Sequence, residues 1–268
     1  MRWFEPFTVP ADLADVLTCR YAATTAGRHV LLPDGSMDLL WIAGAGLVLC
    51  GPDTHAWSFE LAPGTDVVGL RFRPGAAAAV FGVAAIEVSD ERVPVSALVG
   101  TRVERVVDER MASADTAAGR LDVLEQLVRR RRPDGPVDDT VGLAALVGAD
   151  PAFGVDRLAG ESGVSARQLR RRFDREVGYG PAFLARIARL QRFAHAAAAA
   201  PPGVGLAELA AGAGYADQSH LARDCRGLAG RTPRQLVDVL PRTSLAVTLG
   251  DVRSVQDDGR SGGRRWVA

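Results

Sequence analysis

The sequence predicts an α+β chain: a small N-terminal β-barrel or sandwich with flanking helices, then an all-α unit of two helix-turn-helix subdomains joined by a linker helix. Three observations predict it. Through about residue 73, short apolar segments alternate with turn residues. Farther on, a helix-turn-helix pattern occurs twice, about 51 residues apart. Charge is also segregated along a chain whose formal net charge is zero.

In the N-terminal part, residues 37–43 and 47–50 flank Gly44 and Gly46 as a hairpin, and apolar runs at 56–61 and 67–72 follow, parted by Pro63 and Gly64. From Pro74 the period changes. Residues 76–81 read as a short helix, and Leu121, Leu124 and Val128 mark a longer amphipathic one ending in four arginines, 129–132, before Pro133. Cations in a last helical turn complement the helix dipole, so this run reads as a solvated helix end rather than a nucleic-acid contact. The predicted organisation is an N-terminal unit at 1–132, a linker at 133–150, a helical unit at 151–240 and a disordered tail at 241–268.

The first helix-turn-helix sets Val155, Leu158 and Ala159 before the turn Gly163, Val164, Ser165 and a basic helix. On that helix Leu169, Phe173 and Val177 share one stripe, while Arg167, Arg171 and Arg175 lie about 200° away with Arg170 beside them. The second copy runs from Leu206, Leu209 and Ala210 through Gly214, Tyr215 and Ala216 to a helix capped by Asp217. There Leu221, Cys225 and Leu228 face inward, and Gln218, Ser219, Arg223 and Arg226 face outward. Guanidinium forks suit guanine O6 and N7, and Gln suits adenine N6 and N7. Between the copies, residues 181–200 form a helix pattern that starts on Pro181 and stops at Pro201 and Pro202, roughly 30 Å long. Successive major grooves lie about 34 Å apart on one face of DNA, so the pattern implies two reading heads one helical turn apart.

Every one of the 32 basic residues is Arg. Residues 1–150 hold 14 Arg against 21 Asp and Glu, whereas residues 151–240 hold 13 against 8, so the basic block coincides with the repeat. Cys19, Cys50 and Cys225 are too few and too scattered for a disulfide framework or a four-ligand zinc site. The N-terminus carries no secretory pattern, and the longest apolar run, residues 39–50, is far short of the roughly 20 residues that span a membrane. The expected setting is the cytoplasm, on the nucleoid, with no membrane contact. His29 and His55, with Asp34, Asp38 and Asp53 nearby in sequence, lack the spaced His pair of a catalytic metal, and no nucleophile set or phosphate loop stands out. The chain therefore reads as no enzyme, with neither cofactor nor metal.

Residues 155–237 resemble the DNA-binding domain of the AraC/XylS family of bacterial transcription regulators. The resemblance is carried by Gly163, Val164, Ser165, Arg167, Leu169, Arg171 and Phe173; by Gly178, Tyr179, Gly180, Pro181, Arg189 and Leu190; and by Gly214, Tyr215, Asp217, Gln218, Ser219, Leu221, Arg223, Gly230, Thr232 and Pro233. It implies base-facing positions at Arg167, Arg170, Arg171, Gln218, Ser219 and Arg223; Cys225 stands where many members carry an aromatic residue. Leu32, Pro33, Asp34, Gly35, Asp38 and Leu39, with Arg71, Phe72, Pro74 and Gly75, resemble the N-terminal domain of a subset of these regulators. In the wider family that domain is often a cupin-like barrel that binds an effector or dimerises, and the same residues also read simply as turns. The resemblance implies an operator-binding regulator modulated through its N-terminal domain. Its expected partner is double-stranded DNA; a small-molecule effector, RNA polymerase and a second copy of the chain are further candidates. Two other readings stand beside it: an architectural DNA-binding protein without an effector, and an enzymatic or metal-binding N-terminal domain fused to a DNA-binding one.

Overall fold

The computed structural model describes residues 4–24, 27–134, 138–152, 154–201 and 203–240. The expectation of disorder over 241–268 lies outside them. Among the described residues the N-terminal part has eight strands: β1 (Phe4–Phe7), β2 (Leu17–Thr24), β3 (Gly27–Leu31), β4 (Asp38–Ile42), β5 (Gly46–Cys50), β6 (Trp57–Leu61), β7 (Asp66–Phe72) and β8 (Arg92–Pro94). One antiparallel sheet runs in the order β1-β2-β7-β4-β5-β8, and β3 with β6 forms a second. The predicted hairpin is β4–β5, with Gly44 and Gly46 at φ 83° and 84°, a backbone region that suits glycine.

No closed barrel forms among the described strands. β6, which follows the hairpin in sequence, pairs with β3 instead of joining the ladder beside β7, leaving β1 and β8 as edges. Alternation divides the large sheet's side chains between two cores. Leu39, Leu47, Leu49, Leu70 and Phe72 pack toward the helices, and Tyr21, Leu40, Ile42, Cys50 and Val67 pack with Leu61 of the second sheet. Gly69 on β7 lies under that second layer: a Cβ there would sit 2.6 Å from Tyr21 Cζ and 2.8 Å from Leu40 Cδ2. Gly69→Ala is expected to cost about 1–3 kcal/mol by overpacking, read as a lower urea midpoint with unchanged slope.

Helices α1 (Ala76–Phe81), α2 (Ser96–Val99), α3 (Thr101–Ala112) and α4 (Ala117–Arg131) follow, with a 3-10 turn at Ala85–Val88. Thr116 caps α4 by accepting from Gly119 N, and Leu121, Leu124 and Val128 of α4 are fully buried. Three of the four arginines at its end are fastened rather than simply solvated, and Arg130 is exposed. Arg129 donates to Asp12 and Glu125, Arg131 to the Val80 carbonyl, and Arg132 to Asp15 and the Asp12 carbonyl.

The segment read as a linker, 133–150, contains α5 (Asp139–Ala149). Pro133 and Pro136 dominated that reading, yet Asp138 caps a helix just beyond them, its side chain accepting from Thr140 N at 2.7 Å. α5 touches both halves of the molecule: Val141 joins the N-terminal core, while Leu143, Ala144 and Val147 join the C-terminal one. The helical unit continues with α6 (Val155–Ser162), α7 (Ala166–Glu176), α8 (Pro181–Ala199), α9 (Leu206–Gly212), α10 (Gln218–Ala229) and α11 (Pro233–Val239). Its core holds Leu158, Leu169, Phe173, Ile187, Leu190, Phe193, Leu221, Cys225 and Leu228.

Candidate nucleic-acid interface

α6 ends at Gly163 in the left-handed region, φ 65°, which lets the chain reverse into α7 without a Cβ penalty. Ser165 opens α7 with a capping box: its hydroxyl accepts from Gln168 N, and the Gln168 side chain accepts from Ser165 N. With Leu169 and Phe173 fully buried, the helix has one way to sit, and Arg167, Arg170, Arg171 and Arg175 are turned to solvent.

The second copy is built alike. Gly214 takes φ 87° at the turn, Asp217 caps α10 by accepting from His220 N at 2.7 Å, and Leu221, Cys225 and Leu228 are buried. Gln218, Ser219, Arg223 and Arg226 are exposed. Burial pushes the Cys225 thiol up to about 12, so it serves as core. His220 packs edge-on to Tyr215, ring centroids 5.0 Å apart, within 3.8 Å of Asp224 Oδ2.

The arginines differ in their company. Arg170 lies 3.9 Å from Asp174 and Arg175 3.3 Å from Glu176. Among the described residues, the side chains of Arg167, Arg171 and Arg226 make no hydrogen bond or ion pair with a neighbour. A guanidinium without a carboxylate partner reaches a nucleic acid with no local bond to break first. Of the predicted readers, Arg171 and Arg223 occupy matching places on the two exposed faces.

α8 joins the heads with 19 residues, about 28 Å at 1.5 Å per residue. Three of its arginines reach to other parts of the chain. Arg186 Nε donates to Asp224 Oδ1 of α10 at 2.9 Å, Arg189 to the Pro151 carbonyl, and Arg192 to the Ala149 carbonyl.

Behind the heads sits the N-terminal unit, touching both and the helix between them. Next to the end of α7, Gly178 takes φ 95°, and a Cβ there would fall 2.5 Å from Pro52 Cγ and 2.9 Å from Ser89 Oγ. Gln191 of α8, 3% exposed, donates to the Pro33 carbonyl at 2.6 Å, and Ala56 N donates to the Leu228 carbonyl of α10 at 2.6 Å. All of these partners except Ser89 lie on two loops, 32–37 and 51–56.

Ion pairs, buried at Arg71 and half-buried at Arg92, pin those loops to the large sheet. Arg71, 5% exposed, holds Asp38 through Nε at 2.9 Å and Nη2 at 2.7 Å, and Asp34 through Nη1 at 2.8 Å. Arg92 donates to both oxygens of Asp53 at 2.9 Å and lies 4.0 Å over the Trp57 ring. Burial pushes the Asp53 carboxyl up to about 6, although Arg92 pulls in the opposite sense. The pairs enclose a cavity of about 20 Å³, room for one water-sized group. The pairing itself leaves no local signal in the sequence, because Arg71 and Arg92 lie up to 39 residues from the carboxylates they hold.

Residues 158–238 match a family model described as a helix-turn-helix domain, and residues 7–94 one described as a domain of unknown function, DUF6597. Among solved structures, an apo form of a ToxT variant from Vibrio cholerae is similar at 12% identity and TM-score 0.45, covering 82% of this chain and 96% of that one. ToxT from Vibrio cholerae O395 is similar at 10% identity and TM-score 0.43, covering 89% and 98%. No curated protein matches the chain.

Proposed function

We propose that the chain is an AraC-type DNA-binding transcription regulator whose helix-turn-helix domain, residues 158–238, reads two successive major grooves, α7 in one and α10 in the next. The observation that carries this is the matched exposure of both helices. Arg167, Arg170, Arg171 and Arg175 on α7, and Gln218, Ser219, Arg223 and Arg226 on α10, face solvent while the opposite faces are locked into one core. The basic excess of residues 151–240 supplies phosphate attraction, so affinity falls log-linearly with salt. Footprinting on an operator selected from random duplexes tests the reading. Because Leu143, Ala144 and Val147 of α5 pack with the heads, we place the start of the DNA-binding unit near Asp138 rather than at 151.

The N-terminal unit is the modulator in this reading. Its support is the docking itself: loops 32–37 and 51–56 hold the backs of both heads, so a change in either loop alters the platform from which both reach DNA. Gln191→Ala removes the donor to the Pro33 carbonyl, leaving a buried acceptor unpaired at about 1–3 kcal/mol. The expected result is a lower thermal midpoint, together with a shift in operator affinity of about fivefold or more. Unchanged melting and unchanged affinity would detach the N-terminal unit from control of binding.

A further inference from the structure

Between the two heads runs a row of arginines, Arg186, Arg189 and Arg192, at every third position of α8. The two heads are joined covalently by this single helix and the turn after it, so their relative setting depends on what fastens each head to α8. Apolar packing of Leu190 and Phe193 against neighbouring helices is non-directional: it sets which face of a helix turns inward but leaves small rotations and shifts of register cheap. An ion pair does not.

Asp224 is 3% exposed, on the inward side of α10, and Arg186 Nε holds its Oδ1 at 2.9 Å. The same guanidinium lies 5.2 Å over the Phe183 ring and lines an open groove shared with Arg167 and Arg170 of α7. Gly227, one turn along α10, lies beside it: a Cβ there would meet Arg186 Nη2 at 3.5 Å, an ordinary contact. Arg186 thus faces the groove beside the first recognition helix and grips the second. Arg189 repeats the pattern, bonded to the Pro151 carbonyl before the first head and lying 5.9 Å over the Tyr215 ring at the turn of the second. Buried ion pairs add little net stability, and their best-attested use is to select one register among several packings of similar energy.

We propose that the Arg186–Asp224 pair is the positioning element that sets the rotation of α10 relative to α7, and so determines which spacing of two half-sites the protein accepts. This rests on the two-groove reading. Neither residue need touch a base; both act through the recognition helix they hold. In B-DNA, inserting 2 base pairs between the half-sites moves the second groove by about 7 Å and rotates it by about 70°. A rigidly set pair of heads rejects such a site, and a loosened pair tolerates it.

The test uses the full chain and a duplex selected from random sequence by the wild-type protein, alongside the same duplex with 2 base pairs inserted between its half-sites. Wild type is expected to prefer the selected spacing strongly. Asp224→Asn and Arg186→Gln are expected to reduce that preference about tenfold, the scale of one charge-assisted hydrogen bond, and Arg186→Lys to restore part of it. Thermal melts identify the folded variants, and Arg186→Gln at a half-buried position keeps the test available if Asp224→Asn unfolds. A folded variant that loses affinity equally on both duplexes, keeping the wild-type ratio, overturns the inference. Wild type indifferent to the insertion overturns the two-groove reading instead, and this inference with it.

Discussion

Arg71→Met is expected to lower folding stability by about 3–5 kcal/mol, the largest effect of any single substitution considered for this chain. The side chain is replaced by one of similar length, so the loss is not chiefly a cavity. What remains is two carboxylates, Asp34 and Asp38, with side chains 12% and 8% exposed and their cation gone. A domain stable by about 5–15 kcal/mol feels that loss as a large fraction of the whole. The pH dependence carries the signature. Burial already raises the Asp34 carboxyl, with Arg71 opposing it, so removing Arg71 raises it further. A carboxyl whose folded pKa is raised contributes stability below its unfolded value, about 3.9, and loses it as pH rises through the folded value. The deficit of the variant relative to wild type should therefore shrink in acid and be full at neutral pH. Urea titrations at pH 4 and pH 7 measure it; a deficit below about 1 kcal/mol at both would remove the ion pairs from any structural role. Because Asp34 lies on the loop whose Pro33 carbonyl receives Gln191, the same variant should also loosen docking of the N-terminal unit.

On operator DNA the largest effects belong to Arg171 and Arg223. Alanine at either is expected to cost about 1–3 kcal/mol and to relax preference at one or two base pairs in its own groove only. Since they sit on different helices held by one core, their losses should add within about 0.5 kcal/mol. Arg171 has no hydrogen-bonded or ion-paired neighbour among the described residues, and Arg223 makes only a 3.4 Å contact to the Ser219 carbonyl. Truncation at these exposed positions should leave stability nearly untouched. Competition binding with single-base operator variants distinguishes the outcomes. An equal loss on every sequence would assign that arginine to phosphate.

The helical half was largely legible in the sequence because its signals are local. A left-handed glycine, a Ser165–Gln168 capping box and apolar residues every third or fourth position all lie within a dozen residues of one another. The β4–β5 hairpin was legible for the same reason. What escaped was non-local. Nothing near Trp57 announces that β6 pairs with β3 rather than beside β7, and that choice is why an open sheet stands where a barrel was one expectation. α5 was hidden by the two prolines ahead of it, although Val141, Leu143, Ala144 and Val147 supply its apolar contacts. Asp34, Asp38 and Arg71 were recognised as a resemblance, and Pro33 to Ser36 does form a turn, with Ser36 N donating to Asp34 Oδ1. Only the structure joins these roles: one loop is a turn, an ion-pair partner and a docking surface.

The central claim is that two heads on one rigid helix read two grooves, and footprinting of the full chain on its selected operator tests it most directly. The expected footprint is roughly 20 base pairs of an asymmetric site protected by a single copy, in two patches about 34 Å apart on one face, with the mass of the complex giving one chain per duplex. Protection confined to a single groove, or binding that requires two chains on a short palindrome, would contradict it and leave α10 as a packing element.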